Sequence, residues 1–272
     1  MEQHFREWIG RSVTRTDSVT PRLLAEYRAT MSPFLFETAE ETCPPGFHFG
    51  LAPAILTTED TGPDGAERRG LFLPPIQLPR RMWAGGSIET MRPLRLNAAV
   101  TRRSSLADLR FKRGSTGELC VASVVHEMSD EAGLAIRERQ DLVFREASSA
   151  PPPAPGPDVA IAADWRVMAS PLLLFRFSAF TFNGHRIHYD PAYAAEEGYR
   201  GLLVHGPMQA ALMLNLASLR LGHVPRHFDY RCLAQLYGGR AFGVDHDERG
   251  TRIIRSDGVI TAEGQAHAQG TG

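Results

Sequence analysis

Residues 182 to 191 read FNGHRIHYDP, a run that places two imidazoles, a carboxamide, a guanidinium, a phenol and a carboxylate within ten positions. Three kinds of chemistry could use them. His185 and His188, with His205 further on, could converge on a metal, since zinc takes imidazole ligands and leaves a position open for substrate. Against this, the chain has no HExxH, no cysteine falls near the run, and Asp190 followed by Pro191 reads as a helix cap and first turn. No metal and no cofactor is expected. General acid–base chemistry fits better. A histidine held at the end of a strand, just before a helix begins, exchanges a proton near neutral pH, and His188 holds that place. Asn183 can position a water or the imidazole through its amide but cannot take a proton. A structural hydrogen bond in a turn is the plain alternative for His188.

A second stretch matters with the first. GYRGLLVHGPM, residues 198 to 208, runs into an apolar segment of helical length. A helix start presents unpaired N–H groups and the positive end of the dipole. A substrate carbonyl aimed there gains the stabilisation that a developing enolate needs. The Gly206 amide is the candidate donor, because Pro207 has none and glycine permits close approach. His205, immediately before it, is a candidate to orient the turn. A base, a water-positioning amide and an oxyanion donor are the parts needed to add water across a double bond next to a carbonyl, or to remove it.

The elements that must carry these groups fall into two halves. ASSAPPPAPGPDVAIA, residues 147 to 162, is dense in proline and reads as a stiff crossing between folded units. This gives an expected first domain over 1–150 and a second over 163–272. In the first, Pro21 to Met31 has helical spacing, with Thr20 as N-cap. Strands are expected over 88–104, 106–113, 119–128 and 134–146. In the second, a strand is expected over 170–182 (SPLLLFRFSAFTF) and a short helix after the polar run. A helix follows over 206–220, so apolar that it must be wrapped. Strands over 228–236, 240–247, 251–256 and 259–266 supply the wrapping. The expected class is α+β, one helix enclosed by a curled antiparallel sheet in each half.

At 272 residues and 43% hydrophobic, the chain can fill one large core or two ordinary ones. Its formal charge of -1 offers no global basic field for nucleic acid. Cys43, Cys120 and Cys232 contain no CxxC pair and suit a reducing compartment. The opening MEQHFREWIG has no apolar signal core and no later run is long and uncharged enough to span a bilayer. A cytoplasmic protein without membrane or nucleic-acid partners is expected.

FSAFTFNGHRIHYD (177 to 190) followed by GLLVHGP (201 to 207) resembles the hydratase-2, or MaoC-like, branch of the hot-dog fold. The pattern is nearest to the two-domain hydroxyacyl-thioester dehydratase type 2 proteins, among them bacterial mesaconyl-CoA and itaconyl-CoA hydratases. FLPPIQLPRRMWAGGSIE (72 to 89) and IRERQDLVFRE (136 to 146) resemble their degenerate N-terminal unit. The wider family carries Asp-x-Asn-Pro-x-His. Here Asn183 fills the Asp place, His185 the Asn place, Arg186 the Pro place and His188 the His place, as in the NxHRIH of the type 2 branch.

The resemblance implies a double hot-dog, in which His188 moves the proton, Asn183 positions water and the Gly206 amide receives the thioester oxygen. It implies a CoA thioester substrate in a tunnel between the units and self-association, with a homodimer expected. Arg80, Arg81 and Arg113 are candidates for CoA phosphates. Met82, Trp83, Met208, Met213 and Leu214 are candidates to narrow the tunnel. Arg186, Arg80 or Arg81 would meet a carboxylate on the acyl group. The expected reaction is hydration of itaconyl-CoA or mesaconyl-C4-CoA to citramalyl-CoA. The rivals are a 3-hydroxyacyl-ACP dehydratase for linear fatty acyl chains and a catalytically silent binding module.

Overall fold

Ten antiparallel strands join edge to edge into one sheet in the computed structural model, which describes residues 5–114, 117–146 and 154–267. The first half supplies β1 (Ser12–Ser18), α1 (Pro21–Met31), β2 (Arg80–Thr90), β3 (Ala99–Gly114), β4 (Gly117–Asp130) and β5 (Gly133–Arg145). The second supplies β6 (Trp165–Met168), α2 (Pro171–Phe180), α3 (Pro191–Glu196), α4 (Gly206–Leu221), β7 (His227–Cys232), β8 (Ala241–Asp247), β9 (Gly250–Ile254) and β10 (Ile260–His267). The strand order is β1-β3-β4-β5-β2-β7-β10-β9-β8-β6. Read from either end the order repeats, half against half, which is the signature of two hot-dog units fused along one seam. Part of the proline-rich crossing, residues 147–153, lies outside the described residues, as do residues 115–116 of the turn expected near Gly114 and Gly117.

The seam is the β2–β7 pair, in register from Gly85↔Arg231 to Glu89↔His227. Glycine is required at its centre. A Cβ on Gly86 would sit 1.9 Å from the Arg139 carbonyl oxygen, so only a bare backbone lets β5, β2 and β7 come together there.

Helix α4 is buried continuously from Met208 to Ser218, and strands of the second half curl around it. Water is excluded on every side, which is why the segment is apolar all round. Asn215 is a buried exception. Its Oδ1 accepts from Phe36 N (2.9 Å) and its Nδ2 donates to the Pro45 and Ala211 carbonyls (2.8 Å each), so it ties α4 to the first half. One hydrophobic core runs through both halves, from Val19 and Tyr27 to Met213 and Ala262.

Helix α1 forms as its spacing predicts, with Thr20 Oγ1 accepting from Leu23 N. It packs on α2 of the other half. Three expectations need correction. The strand expected over 170–182 is the helix Pro171–Phe180: Ser170 Oγ accepts from Leu173 N and Pro171 opens the first turn. An apolar run of that length has no periodicity to separate the two readings. The strand expected over 88–104 is two strands, divided by a connection through Pro93 and through Asn97 at φ 65. The strand expected over 106–113 is the continuation of β3, carried past a bulge between Leu106 and Asp108. Strands β1 and β6 lie outside the expected set.

Candidate active site

Helix α2 ends in the αL turn at Phe182 (φ 50), and the chain then makes a single 3-10 turn, Arg186–His188, before α3. His188 therefore follows a helix rather than a strand. Asp190 caps α3 as read from the sequence, its Oδ1 accepting from Ala192 N (3.0 Å) and Tyr193 N (3.1 Å). The strip 201–204 fixes the imidazole from the other side. Leu203 N donates to the Ile187 carbonyl (3.0 Å), and the Leu203 carbonyl accepts from His188 Nδ1 (2.8 Å). A carbonyl can only accept, so the proton sits on Nδ1 and the Nε2 lone pair is left for chemistry. Burial pushes His188 down to about 4, helped by the charge of Arg81 and opposed by the Leu203 bond. The group is a neutral base at neutral pH.

The three histidines do come together, but as a stack rather than a ligand set. His205 lies 3.6 Å from His188, ring centroid to ring centroid, at an interplanar angle of 19°, and His185 meets His188 edge-on at 5.6 Å. His205 Nε2 is bonded to Ser178 Oγ (2.8 Å), and its ring is buried beneath that of His188 rather than facing the cavity. Burial lowers His205 and His185 well below the usual histidine range. Among the described residues no group of three or more His, Cys, Asp or Glu is placed to hold a metal ion.

Asn183 and Gly206 share one cavity with His188, of about 1030 Å³. Asn183 Oδ1 accepts from His185 N (3.0 Å), closing the turn, which leaves its NH2 as the group that can meet a water. The Gly206 N–H, first in α4, has no acceptor among the described residues. Trp83 covers this helix end: a Cβ on Gly206 would lie 2.8 Å from the indole. Glycine is needed here for space rather than for its backbone angles. Trp83 is held in turn by a bond from Nε1 to Tyr230 Oη (3.2 Å). Cys232 also lines the cavity, but burial pushes its thiol up to about 12, so it is inert as a nucleophile.

Of the cations expected at the acyl group, the structure brings in Arg81 alone. It lines the cavity and depresses His188 and His185 through its charge. Arg186 points elsewhere: its Nε and Nη2 bond Asp190 Oδ2 (3.0 and 2.7 Å), its Nη1 bonds the Pro63 carbonyl, and it stacks over Tyr193. Arg80 is engaged with the Glu197 carbonyl and the Tyr199 ring, and Arg113 is exposed on β3. None of these three lines the cavity, nor does Met208, Met213 or Leu214, which pack in the core; Met82 and Trp83 do line it.

Two contributors went unread in the sequence because they lie from about forty to more than a hundred residues before the motif. The Pro63–Ala66 loop docks on the turn that carries Asn183 and His188, with Arg186 N donating to the Asp64 carbonyl and a Cβ on Gly65 meeting the Gly184 oxygen at 2.1 Å. Arg102 and Gln140, from the first-half sheet, line the cavity. A cationic residue on a predicted strand gives no sign of which way it faces when the register is unknown.

The family comparison decides what this arrangement is. The sequence profile of hydroxyacyl-thioester dehydratase type 2 matches residues 46–238. The chain belongs to the hydroxyacyl-thioester dehydratase type 2 family. It is 37% identical over 251 residues to a mesaconyl-C(4)-CoA hydratase of Chloroflexus aurantiacus, covering 90% of each chain. The mitochondrial hydroxyacyl-thioester dehydratase type 2 of Schizosaccharomyces pombe is 22% identical, over 77% of this chain and 79% of its own. In fold, the chain is similar to the crystal structure of HtdX of Mycobacterium tuberculosis (TM-score 0.68, 18% identity, 94% of this chain and 100% of the other). A MaoC-like dehydratase from Phytophthora capsici is similar too (TM-score 0.65, 16% identity, 96% of each). This type 2 dehydratase is thus a MaoC-like double hot-dog and a hydro-lyase of acyl thioesters.

Proposed function

We propose that the enzyme hydrates a short dicarboxylic enoyl-CoA, mesaconyl-C4-CoA or itaconyl-CoA, to citramalyl-CoA. The observation that carries the mechanism is the pairing of a free His188 Nε2 with an unengaged Gly206 N–H in one cavity. The thioester oxygen accepts from Gly206 N–H, which stabilises the enolate as it forms. Water held by the Asn183 amide gives a proton to His188 Nε2 as its oxygen bonds to C3. The imidazolium then returns that proton to C2, so one base serves both transfers. Itaconyl-CoA first needs a proton moved from C2 to its methylene carbon to conjugate the double bond. In mesaconyl-C4-CoA the free carboxylate is attached to C3, the carbon beside His188. Arg81 is the cation that already acts on that histidine, and it is the residue we assign to the carboxylate.

The cavity is lined from both halves, Phe49, Trp83 and Gln140 from the first and Asn183, His188 and Gly206 from the second. One chain therefore completes one site. A cytoplasmic homodimer is part of the proposal, supported by apolar Leu172 and Phe175 standing exposed on α2 and measurable by sedimentation. Among the described residues no helix is long and apolar enough to cross a membrane.

Side-by-side rates with citramalyl-CoA, mesaconyl-C4-CoA and crotonyl-CoA test the reading. The dicarboxylic pair should exceed crotonyl-CoA in kcat/KM, and His188→Gln should lower every rate by at least ~10²-fold. Preference for crotonyl-CoA would favour the linear-chain dehydratase instead. Rates indifferent to His188→Gln would remove the base.

A further inference from the structure

The cavity, which also has to admit the thioester end of the CoA arm, is at the top of the ~300–1,000 Å³ that holds a drug-sized ligand. Its wall includes the first-half sheet, where Gln140 and Leu142 of β5 and Arg102 of β3 line it, together with Phe49 and Pro53. The helix of this half is the short α1, which packs on α2 and shares a core with Val100, Met128 and Ile136 of this sheet. A plain alkyl chain would call for a wholly apolar lining there, yet Arg102 and Gln140 line the region beside the apolar residues, with His126 and Glu138 buried behind them.

Three polar atoms in this region are buried with no hydrogen-bond partner: Arg102 Nε, Glu138 Oε2 and His48 Nε2. The last two are 3.7 Å apart. Several of the cluster's other polar atoms are engaged. Arg102 Nη1 donates to the Leu51 carbonyl (3.1 Å), Gln140 Nε2 donates to Glu138 Oε1 (2.8 Å), and His126 Nδ1 bonds Ser104 Oγ (2.7 Å). Burial raises Glu138 to about 7 against the pull of Arg102, so the guanidinium has only a partly ionised counter-charge. Arg102 is half-buried with its Nε fully enclosed, and a cation held partly out of water is costly unless something else balances it. Three arginines line the cavity, Arg81, Arg102 and Arg145, and the first two serve different ends. Arg81 acts on His185 and His188, and Arg102 on His48, His126 and Glu138.

We infer that Arg102, backed by Glu138 and Gln140, forms a second carboxylate subsite at the far end of the acyl chamber. Through it the enzyme also hydrates straight-chain 2-enoyl thioesters that end in a carboxylate and are longer than the five-carbon substrate. The reaction is unchanged: one water adds across C2=C3, oxygen to C3 and hydrogen to C2. The terminal carboxylate accepts from the Arg102 guanidinium, a charge-assisted bond that an alkyl terminus cannot make. This deepens the proposed hydratase reading and rests on it.

The test is a homologous series of 2-enoyl-CoA thioesters with a terminal carboxylate, each assayed beside its alkyl twin of equal length. At the length that reaches Arg102, the carboxylate member should show a kcat/KM at least ~10-fold above its twin, with most of the gain in KM. In Arg102→Met that ratio should fall to about one, and Arg102→Lys should recover part of it. Because the readout is a ratio within each protein, a general loss of activity cancels. A wild-type enzyme with no such preference at any length overturns the inference whether or not the variants fold, as does a preference that survives Arg102→Met. If mesaconyl-C4-CoA turns over and the long series shows no preference, the inference fails alone. If no five-carbon dicarboxylic substrate turns over, the proposed function has failed.

Discussion

At the scale of single residues, the proposed base is set by which nitrogen is spoken for. The order of histidines in HRIH is visible in the sequence, but the Leu203 carbonyl that occupies Nδ1 is fifteen residues away. Likewise Arg186, beside both histidines in sequence, turns out to brace Asp190 and the Pro63 loop. A 3-10 turn advances about a third of a revolution per residue, so neighbours in the motif point in different directions. The state of His188 gives a direct pH prediction. Its pKa is lowered to about 4, and only the unprotonated ring accepts a proton from water. Activity should therefore hold as pH falls through the ordinary histidine value of ~6.5 and be half lost near pH 4. Initial rates taken in short exposures, with a return-to-neutral control for unfolding, check this. An acid limb at the ordinary value would mean that Nε2 is well solvated.

At the scale of elements, helix α4 and helix α1 were legible from spacing and caps, while α2 was not. The difference is physical. Helix α1 alternates buried Leu24, Tyr27 and Met31 with polar residues, whereas α2 carries apolar residues on both its buried and exposed sides, Phe177 on one and Phe175 on the other. Helix α4 announced its burial but not its tether. Asn215 alone connects three backbone groups, and losing it strands the Phe36 N–H, while the Pro45 carbonyl keeps its bond from Tyr27 Oη. A buried donor left without a partner costs ~1–3 kcal/mol, and a lost amide bond to Pro45 adds ~1 kcal/mol. Asn215→Leu, close in volume, should thus lower stability by about 2–4 kcal/mol, read as a shifted urea midpoint with an unaltered slope. A loss below ~0.5 kcal/mol would mean that the tether carries no weight.

At the scale of the whole molecule, the two halves share one sheet and one core, and the site lies where they meet. The fold leaves five histidines in their neutral form, four of them buried and His185 nearly so. Burial holds His48 at about 3 and His188 at about 4, and keeps His126, His185 and His205 well below the usual value. In the unfolded chain each would bind a proton near ~6.5. The unfolded state then holds more protons than the folded one as pH falls below that value. The stability these groups contribute is thus complete above ~6.5 and is lost on acidification, each at about 1.4 kcal/mol per pH unit until its own folded pKa is reached. Glu138 works in the other sense. Its folded pKa of about 7 means that its contribution is present at low pH and is lost as pH rises towards 7. One carboxyl against five imidazoles leaves the balance with the histidines. Urea unfolding followed from pH 7.5 to pH 5 should show stability falling steeply below ~6.5. Replacing the buried His126 with a residue that cannot titrate, as in His126→Gln, should make that slope shallower by about one proton's worth. A stability that is flat over this range would mean the buried imidazoles are protonated in the fold, and the same result would take away the neutral base on which the hydration step depends.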